Sequence, residues 1–161
     1  MTASAERRDA TGGPTADGAD RPSLLYAVKQ VELAVRAHLD ELLRPTGVTT
    51  LQYTAMTVLA RREGLTSAEL ARNSFVTAQT MTDLVTSLER RELISRAPDP
   101  AHRRRLLISL TGTGRAFLAE HAARVADIEA RMVSRLSDDE QASLHDVLNR
   151  CRAALATHPA Q

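Results

Sequence analysis

Three consecutive arginines, Arg103-Arg104-Arg105, stand in a turn between two short apolar runs, Leu93–Ala97 and Leu106–Leu110. Guanidinium groups clustered at the tip of a hairpin can bind phosphates through paired hydrogen bonds or enter an electronegative groove. Just upstream, Met81, Leu84, Val85 and Leu88 recur at i, i+3, i+4 and i+7, which predicts one buried helical face. Ala78, Gln79, Thr80, Thr82, Asp83 and Thr86 are then left outward, with Thr77 as the cap and Arg90 near the helix end. A glutamine amide can pair with N6 and N7 of adenine, and threonine methyls can meet the thymine methyl. Thr77, Thr80 and the first-turn amides suit phosphate oxygens, because unpaired N–H groups and the helix dipole favour anions there. An ordinary solvated helix face is the alternative for these polar residues. The adjoining arginine turn favours double-stranded DNA.

Such residues work only if they are held in place, and the segments around them predict how. Thr49 to Gln52, Thr66 to Glu69 and Ser137 to Glu140 each have capping-box spacing, so helices are predicted to start there. The second helix is expected to bury Leu51, Thr54, Ala55, Val58 and Leu59, and the third Ala68, Leu70 and Ala71. Residues 73–76 form the turn before the Thr77-capped helix. An N-terminal helix runs from about Pro22 to Arg44, stopping before Pro45 and Gly47. Its apolar residues occupy more than one face, which suggests a partner as well as a core. After the second strand, Thr111-Gly112-Thr113-Gly114 opens a long helix with Leu118, His121, Val125, Ile128 and Met132 in register. A last helix carries Leu144, Val147, Leu148, Cys151 and Leu155 on one side. The fold class is therefore mostly α with a small β-hairpin wing. A winged helix-turn-helix over residues 49–111 is flanked by N- and C-terminal helices at 22–44 and 112–156. Residues 1–20, poor in large apolar side chains, are expected to be a disordered tail before one domain ending near residue 158.

The ordered set Gln79-Thr80-Met81-Thr82, Leu84-Val85, Leu88-Glu89-Arg90-Arg91, Leu93-Ile94, Asp99-Pro100, Arg103-Arg104 and Leu110-Thr111 resembles the winged helix of the MarR family of bacterial transcription regulators. The resemblance covers about residues 22–156. It implies a homodimer whose terminal helices interleave, and a sequence-specific regulator acting on a pseudo-palindromic operator. It also implies that one wing arginine, aligned here as Arg104, enters the minor groove. Three positions depart from the family pattern. His102 stands where an aspartate usually orients the wing arginine, and a neutral imidazole can take its place as a partner. Glu92 replaces a common glycine, which costs on the order of 1 kcal/mol if the backbone is left-handed there. Asp83 sits where relatives are often basic, and is expected to pair with Arg72 or Arg90.

Composition narrows the function classes. The chain has 161 residues, 2% aromatics, no tryptophan and a net charge of +1. That is enough for one aliphatic-cored domain. Between Arg72 and Arg105 seven arginines face four acids, a local basic excess on a near-neutral protein. Nothing suggests a bilayer-spanning run or an apolar signal core, so no membrane association and a cytoplasmic location are expected. Cys151 is the single cysteine and reads as a buried structural thiol rather than a redox switch. The five histidines lack metal-ligand spacing, and no metal or cofactor is expected. An enzyme is rejected, since no phosphate loop, clustered carboxylates or nucleophile with a base occurs. A small aromatic or phenolic effector is expected by resemblance, in a pocket lined by His38, Tyr53, Met56, Phe117 and His121. The competing function is a winged-helix module for protein–protein contact, its arginines meeting an acidic partner.

Overall fold

The computed structural model describes residues 22–156. The expected tail at 1–20, and the end of the expected domain at 158, lie outside that range. Six helices and one hairpin follow in order: α1 (Leu24–Leu43), α2 (Thr50–Arg61), α3 (Ser67–Asn73), α4 (Ala78–Arg90), β1 (Ile94–Pro98), β2 (Leu106–Leu110), α5 (Gly112–Val133) and α6 (Asp138–Ala156). A short 3-10 turn, Arg44–Thr46, follows α1 and ends at Gly47, which is left-handed at φ 67°. Mostly helical architecture with a small antiparallel hairpin is the fold class expected.

Backbone contacts divide the chain into a unit ending at Leu33 and a larger one from Ala34 onward. In the first, the opening turns of α1 expose Leu24, Leu25, Tyr26, Val28, Val31 and Leu33. In the second, an aliphatic core gathers Leu42 and Leu43, then Met56 and Leu59 of α2, Leu70 of α3, and Met81, Val85 and Leu88 of α4. Leu93, Ile94, Ile108 and Leu110 close it from the hairpin. The α4 face is the one its spacing predicts.

Elsewhere the burial differs from expectation. Helix α2 buries Gln52, Tyr53, Ala55, Met56 and Leu59, while Leu51, Thr54 and Val58 are half-buried. Gln52 can be buried because both ends of its amide are satisfied. Its Oε1 accepts from the Thr49 amide at 2.9 Å and its Nε2 donates to Ser87 Oγ at 3.0 Å, linking α2 to α4. Ala68 of α3 is exposed, since only Leu70 and Ala71 turn toward the core. Met132 is exposed at the far end of α5. Cys151, expected to be buried, is exposed, as are Val147, Leu148 and Leu155 beside it. The apolar side of α6 exists as predicted, but within one chain little packs against it.

The hairpin pairs Ile94 with Leu110 through to Pro98 with Leu106. A two-stranded ribbon of this length is marginal alone, so its attachments decide where it sits. Leu65, between α2 and α3, exchanges both backbone hydrogen bonds with Ile108, at 3.2 and 2.8 Å. At the other end, the Leu93 amide donates to the Leu88 carbonyl at 3.1 Å, and the Leu93 carbonyl accepts from the Thr111 amide at 3.2 Å. Between them Glu92 is left-handed at φ 56°, the backbone state in which the family-typical glycine is free of strain. Gly114, in the first turn of α5, lies so close to this junction that an added Cβ would stand 2.0 Å from the Leu93 carbonyl oxygen.

Gly114→Ala is therefore expected to destabilise the fold by about 1–3 kcal/mol despite the better helix propensity of alanine. Glu92→Gly is expected to be neutral or stabilising by up to about 1 kcal/mol. Urea denaturation checks both. A Gly114→Ala protein as stable as wild type would contradict the close approach.

Candidate nucleic-acid interface

Helix α4 begins at Thr77, whose hydroxyl accepts from the Thr80 amide at 3.1 Å and lies 2.8 Å from the Thr80 hydroxyl. The cap thus engages the side chains of Thr77 and Thr80, both expected to meet phosphate, with each other. Thr82 and Thr86 donate to the carbonyls of Ala78 and Thr82 one turn back, at 3.0 and 2.9 Å. With those protons used inside the helix, each side chain is left with its methyl group and the lone pairs of its oxygen for a neighbour. Gln79 and Asp83 are exposed one helical turn apart, and neither side chain has a hydrogen-bond or ion-pair partner among the described residues. Ala78 and Arg90 are exposed on the same helix. The structure thus places Thr77, Ala78, Gln79, Thr80, Thr82, Asp83, Thr86 and Arg90 on α4 and its cap, with Thr80 half-buried and the others exposed.

Asp83 does not pair with Arg72 or Arg90 as expected. Arg90 lies seven residues further along the helix, about 10 Å of rise, beyond the reach of a short carboxylate. The nearby carboxylate Glu89 is taken by Arg96 of β1, which ties α4 to the wing through a two-point guanidinium contact. That contact holds the Glu89 carboxyl below its ordinary range.

The wing tip is an ordered turn. The Asp99 amide donates to the Arg105 carbonyl at 2.9 Å, the His102 amide to the Asp99 carbonyl at 3.1 Å, and the Arg105 amide to the His102 carbonyl at 2.7 Å. Asp99 Oδ1 also accepts from the Ala101 amide at 2.9 Å. Arg103, Arg104 and Arg105 are all exposed. Arg103 and Arg104 have no protein partner among the described residues, whereas Arg105 faces two carboxylates, Asp99 and Glu69. Among the described residues His102 bonds through its backbone only. Its imidazole does not hold Arg104, so the substitution of a neutral histidine for the usual aspartate is not realised.

The residues expected around an effector pocket are dispersed. Met56 is fully buried, and Tyr53 is buried with its phenol pKa pushed up by desolvation. His121 is buried against Phe117, the rings stacked at 4.4 Å, and its Nδ1 lies 2.8 Å from the Phe117 carbonyl oxygen. A carbonyl can only accept, so Nδ1 carries the proton. Only His38 of the five lines an open cleft of about 300 Å³, shared with Glu41, Leu42, Arg124, Asp127, Ile128 and Arg131 on α1 and α5. Its arginines were not singled out from the sequence, because a seven-residue spacing on an exposed helix carries no signal of its own.

Residues 46–105 match the model described as MarR family. The chain is 31% identical over 132 residues to the HTH-type transcriptional repressor Rv2887 of Mycobacterium tuberculosis, spanning 82% of this chain and 95% of that protein. A solved structure of that Mycobacterium tuberculosis protein, described as a MarR family protein in complex with salicylic acid, superposes with a TM-score of 0.66 at 31% identity, covering 83% of this chain and 98% of that one. The transcriptional repressor CouR, solved bound to a 23-mer DNA duplex, gives 0.72 at 27% identity, covering 81% of this chain and 92% of that one.

Glu69 stands in the first turn of α3, facing Arg105 of the wing. Its carboxylate accepts from the Thr66 hydroxyl at 2.6 Å and the Thr66 amide at 2.9 Å, and these bonds, aided by Arg105 and Arg72, hold its pKa below the usual carboxylate value. A depressed pKa stabilises the fold above the unfolded-state value, and the contribution is lost as pH falls through the folded-state value. The stability gap between wild type and Glu69→Gln is therefore expected at neutral pH and should shrink in the acid range, as followed by thermal denaturation. A gap unchanged down to strongly acid pH would contradict an ionised Glu69.

Proposed function

The chain belongs to the MarR family of transcriptional regulators, and on that premise we propose that it is a homodimeric, sequence-specific repressor of a pseudo-palindromic operator. In this reading α4 lies in the major groove and Arg104 enters the adjoining minor groove. The observation that carries it is the distribution of unsatisfied polar groups. Gln79, Arg103 and Arg104, on the helix and the hairpin tip, are exposed and without partners among the described residues, while the surrounding threonines, Glu89 and Arg105 are engaged internally. Groups left open on one recognition helix and its wing suit base edges and phosphates. The DNA complex of CouR supports the same partner. Exposed apolar side chains on α1 and α6 support pairing with a second copy, which would cover them. Two recognition helices would then stand about 34 Å apart.

An effector fits the same reading. The cleft beside His38 is at the small end of ligand sites, and Arg124 and Arg131 give it two cations for a carboxylate. Together with the salicylic acid complex of the relative, this supports a small aromatic acid as ligand. Such a ligand would weaken operator binding by favouring a dimer with wrongly spaced helices. The competing reading, a module that docks on an acidic protein, draws support from the unpaired Asp83 on the α4 face, which would repel phosphate.

Selection from random duplexes separates the two. Enrichment of a two-fold-related site is expected. Arg104→Ala should then lower the slope of log affinity against log salt by about 0.9 without changing the dimer's mass. Failure to enrich any sequence would favour the protein-docking module. Salicylate is expected to raise the melting temperature of wild type, and Arg124→Ala to remove most of that shift. An equal shift in both proteins would place the ligand elsewhere.

A further inference from the structure

We infer that Arg105 is a strut that fixes the wing against α3, leaving Arg103 and Arg104 as the arginines that meet DNA. The inference rests on the DNA-binding reading above and divides the labour within its arginine cluster. Arg105 Nε stands 3.9 Å from Asp99 Oδ2, and Arg105 Nη2 stands 4.0 Å from Glu69 Oε2. Both carboxylates are held independently of Arg105. Asp99 is fixed by the Ala101 amide and is mostly buried, its side chain 13% exposed. Glu69 is fixed by both bonds to Thr66 at the start of α3. A guanidinium set between two anchored carboxylates feels opposite charge from both sides. Drawing it to a phosphate would mean leaving both.

The backbone makes the same point. Arg105 shares with Asp99 the hydrogen bond that closes the turn, and its amide bonds the His102 carbonyl. One residue therefore links the hairpin closure to a helix of the DNA-reading motif. At position 102, where an aspartate would orient the wing arginine from within the turn, this chain has a histidine that bonds through its backbone alone. Arg105 supplies the missing order from outside, by coupling the turn to α3. Arg104 then reaches a groove from a hairpin whose base is placed by main-chain bonds and whose tip is steadied by Glu69 through Arg105, and a small tilt moves the tip by ångströms.

Glu69→Gln tests the strut without removing the helix cap, because glutamine also serves as the third residue of a capping box. On the duplex enriched by selection, Arg105→Ala and Glu69→Gln are each expected to weaken binding about fivefold with the salt slope unchanged. The double variant should lose little more than either alone. Arg105→Lys should not fully restore affinity, since a point charge cannot span two carboxylates as a planar fork does. In the free protein, amide hydrogen exchange at Asp99 and Arg105 should quicken in both single variants. A fall of about 0.9 in the salt slope of Arg105→Ala, with wing exchange unchanged, would make Arg105 a phosphate ligand and overturn the inference. If wild type binds no duplex while wing exchange still quickens in both variants, the strut stands and the DNA reading fails.

Discussion

The placement of α4, the hairpin and α5 hangs on the backbone around Leu93. Its amide terminates α4, its carbonyl receives the chain returning from the wing, and Gly114 lets α5 pass so near that only a residue without a Cβ fits beside that same carbonyl. Three elements are thereby referred to one residue. The left-handed turn at Glu92 makes this geometry reachable, and the Thr111 hydroxyl secures it by donating to the Glu92 carbonyl at 2.6 Å. A recognition helix and a wing can act on one duplex only if their relative placement is fixed before they meet it. Here that placement is set by main-chain hydrogen bonds rather than by the hairpin's own short ladder.

Around this junction the polar side chains separate into two populations. One is consumed inside the protein: the Thr49 and Thr66 caps, Gln52 bridging to Ser87, Arg91 donating to the Gly47 and Thr46 carbonyls at 2.6 and 2.5 Å, and Arg96 on Glu89. These bonds cap α2 and α3, tie α2 to α4, and tie α4 and the residue after it to β1 and to the turn before α2. The other population, Gln79, Asp83, Arg103 and Arg104, is left open at the surface. The near-neutral total charge conceals this local arrangement. A protein of this kind need not be basic overall, because only the charges that lack internal partners are available to phosphates.

The sequence made the periodic features plain. The α4 face at Met81, Leu84, Val85 and Leu88 was legible because its spacing fits one helical face and no strand. The capping boxes fixed three helix starts within a residue. Less legible was whatever depends on a second element. Gln52 is legible as part of a capping box, but its burial follows only from Ser87 beside it, and Ala68 reads as inward although only Leu70 and Ala71 of α3 turn to the core. Cys151 lies on a genuine apolar face, but periodicity cannot say whether anything covers that face within one chain. The family resemblance singles out Arg104 among the wing arginines, but Arg103 and Arg105 look equivalent in the run until Asp99 and Glu69 are brought beside Arg105. The left-handed state at Glu92 was the reverse case, a local departure whose structural meaning could be anticipated from the glycine it replaces.

The central claim, that a paired molecule presents α4 and its wing together to duplex DNA, is tested most directly by hydroxyl-radical footprinting of the full chain on a selected operator. The account predicts two symmetric protected regions about one helical turn apart, each flanked by a minor-groove patch that disappears when Arg104 is replaced by alanine. A single asymmetric region, or protection indifferent to Arg104, would contradict it.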